Sequence, residues 1–566
     1  MNILQLGIGA LSPKKHHSFR MRVSQLIWIH LFGLASVFGQ TISAEHGMVA
    51  TANPLATKAG IEILQKGGNA ADAAVGIAFA LGVVEPNASG VGGGGFMLYA
   101  NAETGKVRMI DFRETTPRNF NQQQLFDPDG EQLLTENSSV MAIGVPGTVA
   151  GLLKLHAEDG SLDLKDILAP AIKYARDGFE VSEKFSDMIM SNFDKMAENP
   201  ELAAHYVIDG LPAMPGEQVY NKEMAECYEE IASKGARGFY RGNIAASVVK
   251  TVKDRGGVLS KKDLKKYKAL DKVPVSGTYR GYDIFSAAAP AGGTQIIQLL
   301  NILEQYEIQS YTHDDPKYLH ILAEAMKMVF IDKSASMGDP DFTEVPVSDL
   351  ISKTHAEALG KLIIPGQASF DYHYDLPLEP ESGSTTHFSV VDAQGNMLAL
   401  TQSVNHWFGS GISDPTYGVL LNDHLKDFSR SPDSPNSLQS LKRPASSIAP
   451  TIVSKDGKPF LTVGTPGATR IISALVQIIV NIVDFNMEID DAIEAPRIHA
   501  IGDELYLENR FLEASMDSLR AWGHSLTIKA PYDLYFGGAQ GILIDPNDSL
   551  IKGGADSRRD GDVVGY

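Results

Sequence analysis

The 566-residue sequence has a single cysteine, Cys227, so no intramolecular disulfide can form, and no Cys/His cluster has the spacing of a zinc site. Positive charge is also scarce: 49 Lys and Arg stand against 69 Asp and Glu, a net −20 at pH 7. Such a field repels phosphate backbones and anionic membrane surfaces, so nucleic acid is not an expected partner. No short repeat organises the 53 glycines and 28 prolines, which excludes collagen-like order. No self-similarity recurs at periods of roughly 20–50 residues either, which argues against a solenoid. What is present is core material, 43% hydrophobic residues. At this length it predicts several domains of roughly 100–200 residues or one large layered domain.

The amino terminus reads as an address. Lys14, Lys15, Arg20 and Arg22 precede the apolar run Leu26 to Phe38, which is shorter than the roughly 20 residues that span a bilayer. Small residues follow at Gly39 and Ser43-Ala44. The pattern predicts a signal peptide within 1–44, cleaved near 39 or 44, with Met21 as an alternative start; an uncleaved anchor or unstructured leader is the competing reading. Export to the periplasm or outside the cell is expected, where a lone thiol needs no partner.

Asn53-Pro54 up to Gly67-Gly68 predicts a helix with an N-cap, Pro at N1 and a glycine stop. Asn69 to Val84 lacks a polar face and predicts a helix buried on all sides. Strands are expected at Phe96–Ala100 and Val107–Phe112, mostly helix from Thr148 to Gly257, and helices at Thr294–Tyr306 and Pro316–Ser334. Tyr279 to Tyr282 reads as a turn between two strands, and Pro365 to Ser384 as an exposed connector. Hairpins follow at Thr385–Val404 and at Thr451–Val463, the latter turning at Asp456-Gly457, and Ile471–Val483 is an apolar helix. This order suggests sheets sandwiched between helical layers.

Gly90 to Gly95 formally matches a dinucleotide fingerprint, but a helix precedes it and a strand follows, the reverse of what phosphate binding needs. A tight turn allowing close backbone packing is the better reading. His320 and Glu324 stand one helical turn apart, a metal-compatible spacing with no third ligand nearby in sequence, so a core or surface pair is expected. No metal or other cofactor is predicted. The informative site is Gly383-Ser384-Thr385-Thr386-His387, where connector becomes strand. Cutting before Thr385 would give one residue both a hydroxyl nucleophile and an α-amine with a pKa of roughly 7.7–8 to accept its proton. Attack by the Thr385 hydroxyl on the Ser384 carbonyl would make that cut.

Here the sequence resembles the γ-glutamyltransferases of the N-terminal-nucleophile hydrolase superfamily, from about His46 to Tyr566. The resemblance is carried by Gly68 to Ala74, Glu85-Pro86, Ser89 to Gly95, Asp111 to Glu114, Thr385 to Asp392, Lys442 to Ser447 and Ala555 to Tyr566. It implies an αββα sandwich of the α/β (α+β) class, cut into a large chain, 45–384, and a small chain, 385–566. It implies Thr385 as nucleophile and Ser403 as the hydroxyl that positions it. Gly467 and Ala468 would offer backbone N–H groups to an oxyanion. Arg113, Ser446 and Ser447 would hold the donor carboxylate, and Asp427 and Asn405 the donor ammonium. The substrates implied are glutathione and related γ-glutamyl amides, with water, amino acids or peptides as acceptors.

Three positions depart from the family. His424 stands where Gln is common, beside the donor amine, which a neutral imidazole can accept from and a charged one repels. Ala468 replaces a glycine but keeps its N–H. The Ser429–Leu441 segment is shorter than in lid-bearing relatives, which favours hydrolysis over transfer. Cephalosporin or glutaryl acylases share the nucleophile and are the alternative, though an Asp placed for an ammonium is costly when nothing pairs with it. An inactive secreted scaffold is the third reading and would remain uncut.

Overall fold

The computed structural model describes residues 41–120, 140–369, 383–429 and 431–566. The leader up to residue 40 and residues 370–382 of the connector lie outside them. Two seven-stranded antiparallel sheets dominate. In strand order the first contains Asp562–Gly565, Met48–Thr51, Thr386–Val391, Met397–Ser403, Gly94–Ala100, Val107–Asp111 and Leu270–Lys272. The second contains Ile42–Ala44, Ile551–Ala555, Gln540–Ile544, Lys458–Gly464, Thr451–Lys455, Tyr282–Ser286 and Val275–Tyr279.

The period of two along each strand divides the first sheet between two cores. Val49, Met97, Tyr99, Phe388 and Leu398 pack with helices Pro54–Gln65, Ala70–Val84, Thr148–Asp159 and Leu164–Asp177. Their neighbours Met48, Ala50, Phe96, Leu98 and Met397 belong to the other core, shared with the second sheet and helices Gly293–Leu303, Pro316–Ser336 and Arg470–Val483. The result is the expected four-layer αββα sandwich. Because both faces of the first sheet are covered, Gly94–Ala100, Thr386–Val391 and Met397–Ser403 are buried along their whole length.

Local signals explain the boundaries. The Asn53 side chain accepts from Leu55 N, with Pro54 at N1. Asn69 and Asp72 form a capping box, and every residue of Ala70–Val84 is buried. Asp456 (φ 52°) and Gly457 (φ 74°) are both left-handed, the two-residue turn whose twist suits a hairpin. Arg280 (φ 51°) and Gly281 (φ 82°) repeat the device.

Candidate active site

Thr385 immediately precedes the strand Thr386–Val391, which lies between Met48–Thr51 and Met397–Ser403. The register Thr386↔Gln402 carries Ser403 back beside Thr385. Thr385 Oγ1 donates to Ser403 Oγ at 3.0 Å, and Ser403 Oγ also accepts Asn405 N at 2.8 Å. Ser384 and Thr385 are both buried. Thr385 has φ 110°, a region that a β-branched residue occupies only where its surroundings over-determine it, at a cost of roughly 1–3 kcal/mol. The strain therefore sits at the residue expected to cut its own peptide bond.

The glycine run explains how other groups reach this point. None of Gly92 to Gly95 has positive φ; their need is space. A Cβ on Gly93 would lie 2.1 Å from Ser403 O, and one on Gly95 2.2 Å from Thr401 O. Gly94 pairs with Ser403 across the ladder, and a Cβ there would lie 2.6 Å from Glu114 Oε2. Bare backbone thus brings the loop after Val107–Asp111, with Arg113 and Glu114, against the strand that ends at Ser403.

Arg113 is 1% exposed and forms an ion pair through Nη2 with Asp427 Oδ2 at 2.5 Å. Its guanidinium also donates to Pro444 O and Ala445 O, both at 3.4 Å, which holds the Ser446-Ser447 loop alongside. Ser446 Oγ accepts Ile448 N at 3.1 Å, leaving its proton to donate, and Ser447 is half-buried beside it. Asn436 joins the two sides: its Nδ2 donates to Asp427 O at 2.7 Å and its Oδ1 accepts Ala445 N at 2.8 Å. Sequence reasoning missed Asn436, which no spacing marks.

Asn405 connects this cluster to the nucleophile. Its Nδ2 donates to Asp423 O at 3.2 Å. Asp423 is fully buried, pairs with His406 Nδ1 at 2.9 Å and Lys426 Nζ at 3.3 Å, and anchors the turn His424–Asp427. His424, which the sequence places beside a donor amine, has its Nδ1 2.8 Å from Glu114 Oε1, with both side chains buried. Glu114 Oε2 lies in turn 3.7 Å from Arg113 Nη1. His424 and Arg113 thus both lie against the buried Glu114 carboxylate, which the sequence does not single out.

The oxyanion candidates follow the strand Lys458–Gly464 in the facing sheet. A Cβ on Gly464 would lie 2.2 Å from His387 Nδ1, so this strand closes onto the residue two after Thr385. Gly467 (φ 133°) and Ala468 (φ 53°) then reverse the chain into the helix Arg470–Val483, where helix N–H groups emerge.

Away from this site, the tertiary structure supplies the third residue missing near His320 and Glu324: His524, with ligand-capable atoms of the three within 4.8 Å of one another. The cluster is already bonded internally. His320 Nδ1 lies 2.8 Å from His524 Nε2, and Lys327 Nζ lies 3.0 Å from Glu324 Oε1. Burial, then Lys327, pushes His524 down to about 3. With a lysine on its only carboxylate, the group reads as a polar knot in the core.

Comparison with known proteins gives the family. The family model for gamma-glutamyltranspeptidase matches residues 56–566. The glutathione hydrolase proenzyme of Escherichia coli is 36% identical over 556 residues, covering 94% of both chains. The acylase ACY 1 proenzyme of Pseudomonas sp. SE83 is 36% identical over 531 residues, covering 92% of this chain and 94% of its own. In structure, the cephalosporin acylase of Bacillus halodurans superposes with a TM-score of 0.86 at 28% identity, covering 93% of this chain and 97% of that one. These matches span nearly the whole chain: it belongs to the gamma-glutamyltranspeptidase family of N-terminal-nucleophile hydrolases.

Proposed function

We propose that this chain is an exported, self-processing γ-glutamyltransferase and glutathione hydrolase with Thr385 as nucleophile. The observation that carries the reading is the Thr385 Oγ1 to Ser403 Oγ hydrogen bond at a strained, buried peptide. In maturation Thr385 Oγ attacks the Ser384 carbonyl carbon and an ester forms. The Ser384–Thr385 C–N bond breaks, and the hydroxyl proton ends on the freed amine. Water then hydrolyses the ester, leaving a Ser384 carboxylate and a Thr385 that carries both hydroxyl and amine. In turnover that amine takes the hydroxyl proton while Oγ attacks the γ-carbonyl of the donor. The N–H groups of Gly467 and Ala468 receive the oxyanion. The amine returns the proton to the leaving group, and water or an amino acid or peptide acceptor then releases the γ-glutamyl group.

Arg113, with Ser446 and Ser447, receives the donor carboxylate; Asp427, with Asn405, receives the ammonium. His424 supports Arg113 through Glu114. Export rests on the amino-terminal pattern. Ile42–Ala44 pairs with Ile551–Ala555, so a cut near 39 preserves that edge strand and one at 44 removes it. Among the described residues no helix is long and apolar enough to cross a membrane.

An acylase acting on glutaryl-type amides is the second reading, favoured by the Arg113–Asp427 ion pair, which gives Asp427 a partner when a substrate brings no ammonium. Intact-mass analysis beside a Thr385→Ala control tests the nucleophile: two fragments meeting at Ser384/Thr385 are expected from the wild type only. Comparing γ-glutamyl and glutaryl chromogenic amides by kcat/KM tests the substrate, and faster glutaryl turnover would replace the first reading by the second.

A further inference from the structure

A second cation, Arg559, holds the two peptides on either side of the one that must be cut. Arg559 Nη1 donates to Thr385 O at 2.6 Å, and Arg559 Nη2 donates to Gly383 O. These are the carbonyls on either side of the Ser384 carbonyl. The same Nη1 pairs with Glu85 Oε1 at 2.9 Å, and the guanidinium lies over the Trp407 ring, 5.1 Å from its centroid. One planar, always-charged group therefore fixes the orientations of the two peptides that flank the scissile one, which a lysine's point charge cannot do.

The delivery of Arg559 is rigid. A Cβ on Gly538 would lie 2.6 Å from Arg559 Cγ and 2.8 Å from its Cδ, so the aliphatic stem passes where only a glycine permits it. The turn that carries it is built on the buried Asp556, whose carboxylate accepts Ala539 N and Arg558 N and pairs with Arg497 at 2.7 Å. From the expected large chain, Lys184 donates to Ser557 O at 2.5 Å and to Arg559 O, and Ser182 donates to Asp560 at 2.5 Å. Glu85 ends the wholly buried helix Ala70–Val84. Burial raises its carboxyl to about 7 against the lowering pull of Arg559 and Thr386, so the pair is held at a cost, as expected of a device kept for position.

We propose that Arg559, oriented by Glu85, is a positioning residue for the maturation cleavage: it holds the carbonyls flanking Ser384 so that the strained Thr385 presents its hydroxyl to the Ser384 carbonyl carbon. The bonds made and broken are those of the Thr385 ester route above, and Arg559 gives up no proton in it. The proposal rests on the reading of Thr385 as a self-cleaving residue.

The test measures the rate at which purified full-length precursor yields two chains, by intact mass, for wild type, Arg559→Lys, Arg559→Ala and Glu85→Gln. Cleavage about 10- to 100-fold slower is expected in Arg559→Ala, with smaller losses in Arg559→Lys and Glu85→Gln, as for removal of charge-assisted hydrogen bonds that set geometry. Methylguanidinium is expected to speed Arg559→Ala, and methylammonium at equal ionic strength is not. Melting of Thr385→Ala with and without Arg559→Ala provides the folding control. A large loss of melting temperature without methylguanidinium rescue makes Arg559 merely structural and overturns the proposal. So does cleavage of Arg559→Ala at the wild-type rate. An uncut wild type would instead overturn the reading of Thr385 itself.

Discussion

Asp427 Oδ2 lies 2.5 Å from Arg113 Nη2, so the anion and the cation assigned to the two ends of an α-amino acid neutralise each other across 314 residues of sequence. Arg113 is buried whereas the Asp427 side chain is 27% exposed. A donor bringing both a carboxylate and an ammonium exchanges one ion pair for two without leaving a buried charge unmatched. A glutaryl group brings only the carboxylate, and Asp427 must then keep sharing Arg113.

Asp427→Asn should therefore separate the two substrate classes. Its kcat/KM on a γ-glutamyl amide is expected to fall about 100-fold, and on the matching glutaryl amide less than about tenfold. Equal losses on both amides would remove the ammonium role from Asp427.

The Thr385–Ser403 hydrogen bond predicts a shared requirement in maturation and turnover. Ser403→Ala should slow both chain cleavage and kcat about tenfold to 100-fold, whereas Ser403→Thr, which keeps the hydroxyl, should retain both. Timed intact-mass measurements and steady-state rates on one preparation check this. A variant impaired in only one step would restrict Ser403 to that step.

Ala468 has φ 53°, which costs an L-residue roughly 1–2 kcal/mol relative to right-handed backbone. Ala468→Gly should raise stability by about 0.5–1 kcal/mol, since the added chain freedom of glycine offsets part of the gain. The N–H is kept, so kcat should stay within about twofold. Thermal unfolding and initial rates of the mature enzyme measure both.

The Asp423–His406 pair gives a pH dependence of defined sign. Burial pushes the His406 imidazole down, but Asp423 outweighs it and holds the ring above 6.5. Burial pushes Asp423 up, but His406, Lys426 and Lys195 hold it well below the usual carboxylate range. The His406 contribution to stability is therefore complete below about pH 6.5 and lost as pH rises through its elevated value; that of Asp423 is lost only in strong acid. Denaturant unfolding of wild type and His406→Asn should differ most below about pH 6.5 and converge as pH rises through the elevated His406 value. A difference that widened with pH would show the ring to be buried neutral.

Much of the local structure was legible in the sequence because its causes are local. Asn53-Pro54 and Asn69 with Asp72 announce helix starts through hydrogen bonds two or three residues long. Asp456-Gly457 announces a hairpin because few residues tolerate its backbone. The glycine run before Phe96 implies close packing, and the contacts of Gly92 to Gly95 say what is packed: the backbone of Ser403 and Thr401, the carboxylate of Glu114 and the loop at Leu420.

Sequence alone thus determined the alternation and capping that make the layers, and the place where connector becomes strand at Thr385. Only the tertiary structure decided which side chains share a charge. Arg113 found Asp427, His424 turned to Glu114, His524 joined His320, and Arg559 reached across the scissile peptide to Glu85. The reason is physical. Caps and periodicity act within one or two turns of chain, whereas these partners are hundreds of residues apart and meet only through the register of the sheets and the glycines that let backbones touch.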